Sequence, residues 1–181
     1  MQKIVNGLEI TLINEHSYTV GSADNVRTYQ VELCRSQKYR YSSAHGLIVG
    51  NLDDPDASVI CLGVGGVTRV HQYSLAINND ACYVASGDAV FALTLPTLKL
   101  RWIKKVDFAT CFGVFWVKKF NSLITWGETD ICRLHSHGES IWTLSGQHIF
   151  TEVLTLSGDN ILATDFDGIV HKISIEKGTP V

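Results

Sequence analysis

Two histidines that stand two residues apart, His135 and His137, are the side chains best placed for metal chemistry, with His148 further along the chain. Alternate side chains of a strand share one face, so the imidazoles could hold zinc together with the third histidine. The same pair also fits an exposed turn between two strands, and this is the interpretation we favour.

Two glycine-containing segments could bind an ion but are better explained as connections. The run Asp165-Phe166-Asp167-Gly168 is a fragment of a calcium loop without the later ligands or the terminal glutamate, so it predicts a turn. Gly63-Val64-Gly65-Gly66 precedes no helix that could supply an anion site, so it predicts a strand connection. The nucleophile-elbow, Walker, zinc-protease and dinucleotide motifs do not occur. We therefore expect no catalytic residue, no metal and no cofactor.

Composition indicates one folded domain over residues 1–181. Apolar residues make up 45% of the chain and charged residues 18%, which argues against disorder. The net charge of -3 is unlike that of a dedicated nucleic-acid binder. Five cysteines without a CxxC motif predict free, buried thiols in a reducing compartment. No secretory signal or membrane span is recognised, so we expect a cytoplasmic protein.

The apolar residues occur in short runs separated by Gly, Asn, Asp and Ser, which is typical of an all-β domain. The runs repeat: Gly87 and Gly127 stand 40 residues apart, and so do Trp102 and Trp142. Aligning the copies predicts three clear repeats at 73–110, 112–149 and 150–178, a shorter one at 40–70 and a degenerate one at 8–39.

The two clearest copies read as two strands, a glycine-acidic turn, a third strand and a fourth strand that carries tryptophan. This pattern resembles the blades of PQQ-like and WD40-like repeat proteins. The resemblance implies a β-propeller-like fold of four to five small antiparallel blades. The last copy lacks its outer strand, so either a strand near residues 8–13 closes a compact ring or the propeller is partial and open. PQQ-dependent chemistry does not carry over, because it needs more blades and a cofactor cavity.

The acidic residues suggest a binding surface. In propellers, the loops joining strands two and three and those leading to the next blade emerge on one face. The repeat assigns nine of the 18 carboxylates to that face, whereas Lys118, Lys119 and Lys177 fall in turns of the opposite face. The preference of Asp for turns is the alternative explanation. Trp126 lies beside such a loop, where it fits a contact or a core role equally. The predicted partner-binding residues are Asp53, Asp54, Asp56, Asp88, Asp107, Trp126, Glu128, Asp130, Asp165 and Asp167.

These observations predict a non-catalytic protein-binding domain with a basic protein partner, since complementary charge speeds encounter and selects partners. In type, it is similar to small bacterial immunity proteins, which neutralise a basic toxin or nuclease domain. Nucleic acid is disfavoured on an acidic face. Two alternatives stay open: a small-ligand or metal-binding enzyme that uses the central channel, and a homo-oligomer that completes its ring with a second copy.

Overall fold

A computed structural model describes residues 1–145 and 149–181, which form four β-sheets. Sheet 1 has the order β1-β2-β4-β5-β3 and consists of Gln2–Val5 (β1), Leu8–Asn14 (β2), Val31–Cys34 (β3), Ser43–Gly50 (β4) and Pro55–Gly63 (β5). Sheet 2 consists of Leu75–Asn78 (β6), Ala81–Ser86 (β7), Ala89–Thr94 (β8) and Leu100–Lys105 (β9). Sheet 3 consists of Cys111–Val117 (β10), Ser122–Gly127 (β11), Asp130–His135 (β12) and Ser140–Ser145 (β13), with a 3-10 turn at Lys118–Phe120. Sheet 4 consists of Thr155–Ser157 (β14), Asn160–Thr164 (β15) and Val170–Ser174 (β16).

The 40-residue repeat has a physical basis in the outer strands. The indole nitrogen of Trp102 donates to the carbonyl of Ser136 in the next sheet at 2.9 Å. Trp142 repeats this bond with Ile175 at 2.9 Å. Each indole also covers a glycine of the next sheet, Gly138 or Gly178, where a Cβ would come within 2.9 or 2.5 Å of the ring. The tryptophans therefore tie sheet 2 to sheet 3 and sheet 3 to sheet 4.

The repeats expected at 8–39 and 40–70 do not form separate sheets. β2 pairs with β4 in one sheet, with Ile10 opposite Val49. Residues 15–42 are an insertion between the second and third strands of this sheet, and its strand β3 runs parallel to the outer strand β5. The insertion shifts the phase of the repeat, so β4 and β5 are the third and fourth strands of the blade. The expected five-blade alternative is therefore wrong, and the described residues form four blades.

The four sheets form an open arc. Buried apolar clusters join sheet 1 to sheet 2, sheet 2 to sheet 3 and sheet 3 to sheet 4. Within the described residues no such cluster joins sheet 4 to sheet 1. The strand near residues 8–13 pairs with β1 and β4 rather than closing a ring on the last blade.

The free faces at the two ends of the arc are protected in different ways. Side chains of the insertion, including Tyr18, Tyr29 and Tyr41, pack with Ile60 and Leu62 on the free face of sheet 1. On sheet 4, Ile161 and Ile173 face the core shared with sheet 3. On the opposite face of sheet 4, Leu162 lies between its cross-strand neighbours Thr155 and Lys172. A covering segment at one end and a more polar face at the other are what a repeat array requires of its terminal units.

The sheets have a linker end and a hairpin end. At the linker end the chain passes from one sheet to the next, and the loops between second and third strands lie there as well. Backbone bonds show this placement, because Asp88 N–H donates to Val64 at 2.6 Å and Glu128 N–H donates to Thr110 at 2.8 Å. The hairpin end carries the remaining turns. The expectation that these two kinds of loop share one face is therefore correct.

Four of the five cysteines are buried, Cys34 is partly exposed, and all five are free thiols. Burial raises the pKa of the Cys82 thiol to about 12 and that of Cys61 well above its ordinary value. These thiols are protonated at neutral pH and pack as small apolar groups. Within the described chain, no helix is long and apolar enough to cross a membrane.

A buried histidine makes the fold sensitive to acid. The Nδ1–H of His45 donates to the carbonyl of Ala85 at 2.9 Å, and the Thr68 hydroxyl lies 3.4 Å from Nε2. Burial lowers the pKa of His45 from its ordinary 6.5. Below pH 6.5 the unfolded chain binds a proton at His45 that the folded chain does not bind, so the free energy of unfolding decreases as the pH falls.

The variant His45→Gln tests this role. We expect it to show a smaller decrease in the free energy of unfolding between pH 7 and pH 5, measured by urea unfolding. An unchanged decrease would contradict the role of His45.

Candidate functional site

Three aspartates predicted to contact a partner instead hold the turns of the linker end. Asp88, Asp107 and Asp165 are 3%, 2% and 3% exposed. Their burial corrects the expectation that these carboxylates meet a partner. A short acceptor side chain in a turn can satisfy backbone donors that would otherwise stay unpaired, and Asp107 and Asp165 have that role.

Asp107 has the most extensive set of bonds. Its Oδ1 accepts from the backbone N–H groups of Ala109 and Thr110 at 2.6 and 2.7 Å. Its Oδ2 accepts from those of Thr129 and Asp130 at 2.9 and 2.8 Å. The carboxylate therefore ties the linker that follows sheet 2 to the second-to-third-strand turn of sheet 3.

Asp165 has the same role in sheet 4. Its Oδ1 accepts from the N–H groups of Asp167 and Ile169 at 3.0 and 2.9 Å, and Nε2–H of His171 donates to Oδ2 at 2.7 Å. The hydrogen bond from His171 lowers the pKa of Asp165. The carboxylate of Asp165 therefore holds the turn through backbone bonds and also binds His171.

Asp88 differs because its partners are cations. Arg35 of the insertion donates to Oδ2 at 2.6 Å, and Lys105 Nζ lies 4.0 Å from the same oxygen. Burial raises the pKa of Asp88 and the two cations oppose that rise. The ion pair attaches the insertion of sheet 1 to sheet 2.

Trp126 belongs to the core rather than to a loop mouth. It is 6% exposed, and its ring lies 5.2 Å from that of Phe112 and 6.0 Å from that of His71. The contact role that the sequence left open is therefore wrong, and the core role is correct.

The other carboxylates do not form one acidic face. Asp53, Asp54 and Asp56 are exposed, but they lie at the hairpin end, in the turn between β4 and β5 and at the start of β5. Only Glu128, Asp130 and Asp167 remain at the linker end with exposed or partly exposed side chains. Of the ten predicted residues, the structure thus leaves these three where a partner on the linker end could reach them.

The linker end also carries exposed apolar and basic side chains that were not predicted from the sequence. Two of the seven phenylalanines, Phe108 and Phe166, are 79% and 77% exposed there, and Val67 is 71% exposed. Several cations also lie in its loops or at strand ends beside it, namely Arg35, Lys38, Arg40, Arg69, Lys104 and Lys105. Both linkers also contain other apolar residues, such as Val70 and buried Val106, so the sequence carried no signal that marked Val67 and Phe108 as exposed.

The histidine pair shows no metal arrangement. His135 and His137 stack with their ring centres 5.0 Å apart at the hairpin end, and His137 approaches Glu139 at 3.2 Å. His148 lies outside the described residues. Within the residues that are described, no group of three or more His, Cys, Asp or Glu side chains is placed to hold a metal ion.

Comparison with known structures identifies the fold. The chain is similar to the WD40 propeller domain of Doa1, with a TM-score of 0.52, 14% identity, and coverage of 83% of this chain and 52% of that one. The WD40 domain of Neurospora crassa Pan2 gives a TM-score of 0.51 at 14% identity, over 60% of this chain and 36% of that one. The designed protein Ika8 gives 0.57 at 11% identity, over 99% and 59%. The protein has the fold of propeller-repeat proteins and spans about a third to three fifths of these three chains.

Comparison by sequence adds no family. No protein-family model matches the chain, and no curated protein matches it. The assignment therefore concerns architecture, and propellers support unrelated functions.

Proposed function

We propose that this protein is a protein-binding domain whose partner docks on the linker end. The observation that carries the proposal is the exposure of Phe108, Phe166 and Val67 on the turns of that end. Large apolar side chains in water have an unfavourable free energy that burial against a partner removes. Aromatic residues that become buried in this way often dominate the energy of an interface. The rigid sheets beneath would hold these side chains in place before binding.

The finer hypothesis, that the partner is a basic toxin domain, keeps limited support. Only Glu128, Asp130 and Asp167 of the predicted acidic residues could meet such a partner at this end. Asp130 already accepts from the N–H of Phe108 at 2.9 Å. Six cations lie in or beside the loops of this end, and their charge opposes the approach of a basic partner.

Site-specific photocrosslinking tests the proposed function. A photoreactive phenylalanine analogue would replace Phe108 or Phe166, and Leu100 at the hairpin end provides the matched control because it is 45% exposed. In cells of the source organism we expect one shared adduct from positions 108 and 166 and none from position 100. Equal labelling from all three positions, or no adduct from 108 and 166, would contradict docking on the linker end. Thermal melts that match the unmodified protein would show that the replacements leave the fold intact.

A further inference from the structure

We propose that the linker end binds an acidic polypeptide segment that inserts an apolar side chain beside Phe108. This inference rests on the proposed function and names the chemistry of the partner. The surface that would attract the segment is called the basic sector and consists of Arg35, Lys38, Arg40, Arg69, Lys104 and Lys105.

The basic sector arises because the insertion brings distant cations together. Arg35, Lys38 and Arg40 follow strand β3, whose pairing with β5 takes them to the linker end. Arg69 lies in the linker after sheet 1, and Lys105 ends the outer strand of sheet 2. Backbone contact joins these regions, because Gly66 N–H donates to Ala109 at 2.9 Å. Six of the 15 basic residues of the chain thus lie in or beside one region of the surface.

Most of this positive charge is not neutralised within the protein. Buried Asp88 forms ion pairs with Arg35 and Lys105, at 2.6 and 4.0 Å. Throughout residues 1–145 and 149–181, the remaining four cations of the sector form no ion pair. Their field is therefore available to an external anion, and a low-dielectric surface beneath them strengthens that attraction.

A shallow, open depression next to the sector, called the cavity below, offers room for one apolar side chain. It has a volume of about 270 Å³ and opens between the outer strands of sheets 2 and 3. One wall consists of Lys104, Lys105 and Phe108, and the other includes Cys132 and Thr143. The two lysines would pair with carboxylates on either side of an anchor residue seated between these walls.

The carboxylates that also line the cavity do not oppose this arrangement strongly. Both oxygens of Asp107 accept backbone bonds, and Oδ2 of Asp130 accepts from the Phe108 N–H and the Thr129 hydroxyl. Hydrogen bonds hold both carboxylates against the loop backbone, and the apolar side chain seated beside them brings no negative charge of its own.

The same details favour a polypeptide over a nucleic acid. Single strands bind by stacking bases on open aromatic faces along a positive groove. Here Lys38 lies 5.4 Å from the ring centre of Tyr39 and Lys105 lies 5.1 Å from that of Phe108, so one face of each ring already meets a cation. Neither ring therefore offers two open faces for base stacking.

Fluorescence anisotropy with defined peptides tests the inference. The probe is a short fluorescein-labelled peptide of Glu and Asp with one central Leu. The comparison probes are the same peptide with Ser for Leu, a Lys-rich peptide of equal length, and a single-stranded RNA oligonucleotide. We expect the acidic Leu peptide to bind the full chain. Its affinity should be about tenfold higher than that of the peptide with Ser in place of Leu. Binding of the Leu peptide should also weaken when the salt concentration is raised.

Charge-reversal variants locate the binding. The double variant Arg69→Glu/Lys104→Glu should weaken the acidic peptide by about tenfold or more, whereas Lys99→Glu/Lys118→Glu at the hairpin end changes net charge equally and should leave binding unaltered. Phe108→Ala should also weaken it. Equal loss in both double variants, preference for the Lys-rich peptide or for RNA, or no binding of the acidic peptide would overturn the inference. If the acidic peptide fails to bind but positions 108 and 166 still give the shared crosslink, the inference is wrong and the proposed function is still supported.

Discussion

Asp107→Ala should destabilise the protein by about 3 kcal/mol or more, because it removes the acceptor for several backbone donors at once. The carboxylate accepts from four N–H groups at 2.6 to 2.9 Å and is 2% exposed. Alanine would leave Ala109, Thr110, Thr129 and Asp130 without this partner in a site with little room for water. The melting temperature should fall by about 6 to 12 °C for a domain of this size.

Two variants separate this structural role from a general effect of charge. Asp107→Asn keeps one oxygen acceptor and should lose about half as much stability. Asp167→Ala removes an exposed carboxylate of the same end and should stay within about 0.5 kcal/mol of the parent protein. Urea unfolding monitored by tryptophan fluorescence measures all three. If Asp107→Ala instead unfolds like the parent but no longer binds its partner, the carboxylate acts in contact, as the sequence analysis expected.

The roles of these aspartates could be predicted from the sequence only in part. An aspartate in a linker indicates a turn in which its side chain accepts from N–H groups two and three residues later, here those of Ala109 and Thr110. The second half of the bonding comes from Thr129 and Asp130, which belong to the next sheet and become neighbours only when the chain folds. Turn composition therefore predicts where an Asp lies along a blade but not whether its carboxylate faces inward or outward.

The period of the repeat was predicted where the chain follows it without interruption. The spacing of Trp102 and Trp142 correctly indicated sheets 2 and 3, because each indole must meet the glycine of the next blade. The first 63 residues could not be assigned in the same way, since the insertion between β2 and β4 breaks the period. Because the strands were assigned one pair out of phase, the turn at residues 53–56 was predicted at the linker end instead of the hairpin end. For the same reason, the cations that the insertion contributes to the linker end were not predicted.

Gly63→Ala should strongly destabilise the seam between sheets 1 and 2. Gly63 ends strand β5, and an added Cβ would lie 2.1 Å from the carbonyl oxygen of Ser86 and 2.5 Å from the nitrogen of Gly87. These atoms are backbone atoms of the neighbouring sheet, so no side-chain rotation can relieve the overlap. Gly63 is also held from the other side, because its carbonyl accepts from Ser42 N–H at 2.9 Å. The sheets must separate to admit the methyl group, at a cost of about 3 kcal/mol or more.

Gly158→Ala is the matched control because it isolates backbone strain from steric overlap. Gly158 has a φ of +58° and no atom within 4 Å of its would-be Cβ, so alanine should cost about 1 kcal/mol through its left-handed conformation alone. Urea unfolding should therefore show a loss in free energy of unfolding roughly threefold larger for Gly63→Ala than for Gly158→Ala.

Peptide binding gives a second measurement, because the seam also carries the Arg35–Asp88 ion pair. Gly63→Ala should weaken acidic-peptide binding, since separating the sheets moves the cations of the basic sector apart. Gly158→Ala should bind the peptide normally. Equal destabilisation by both variants would show that the two sheets are not in close contact at Gly63, and the basic sector would then lack the rigid support that holds its cations together.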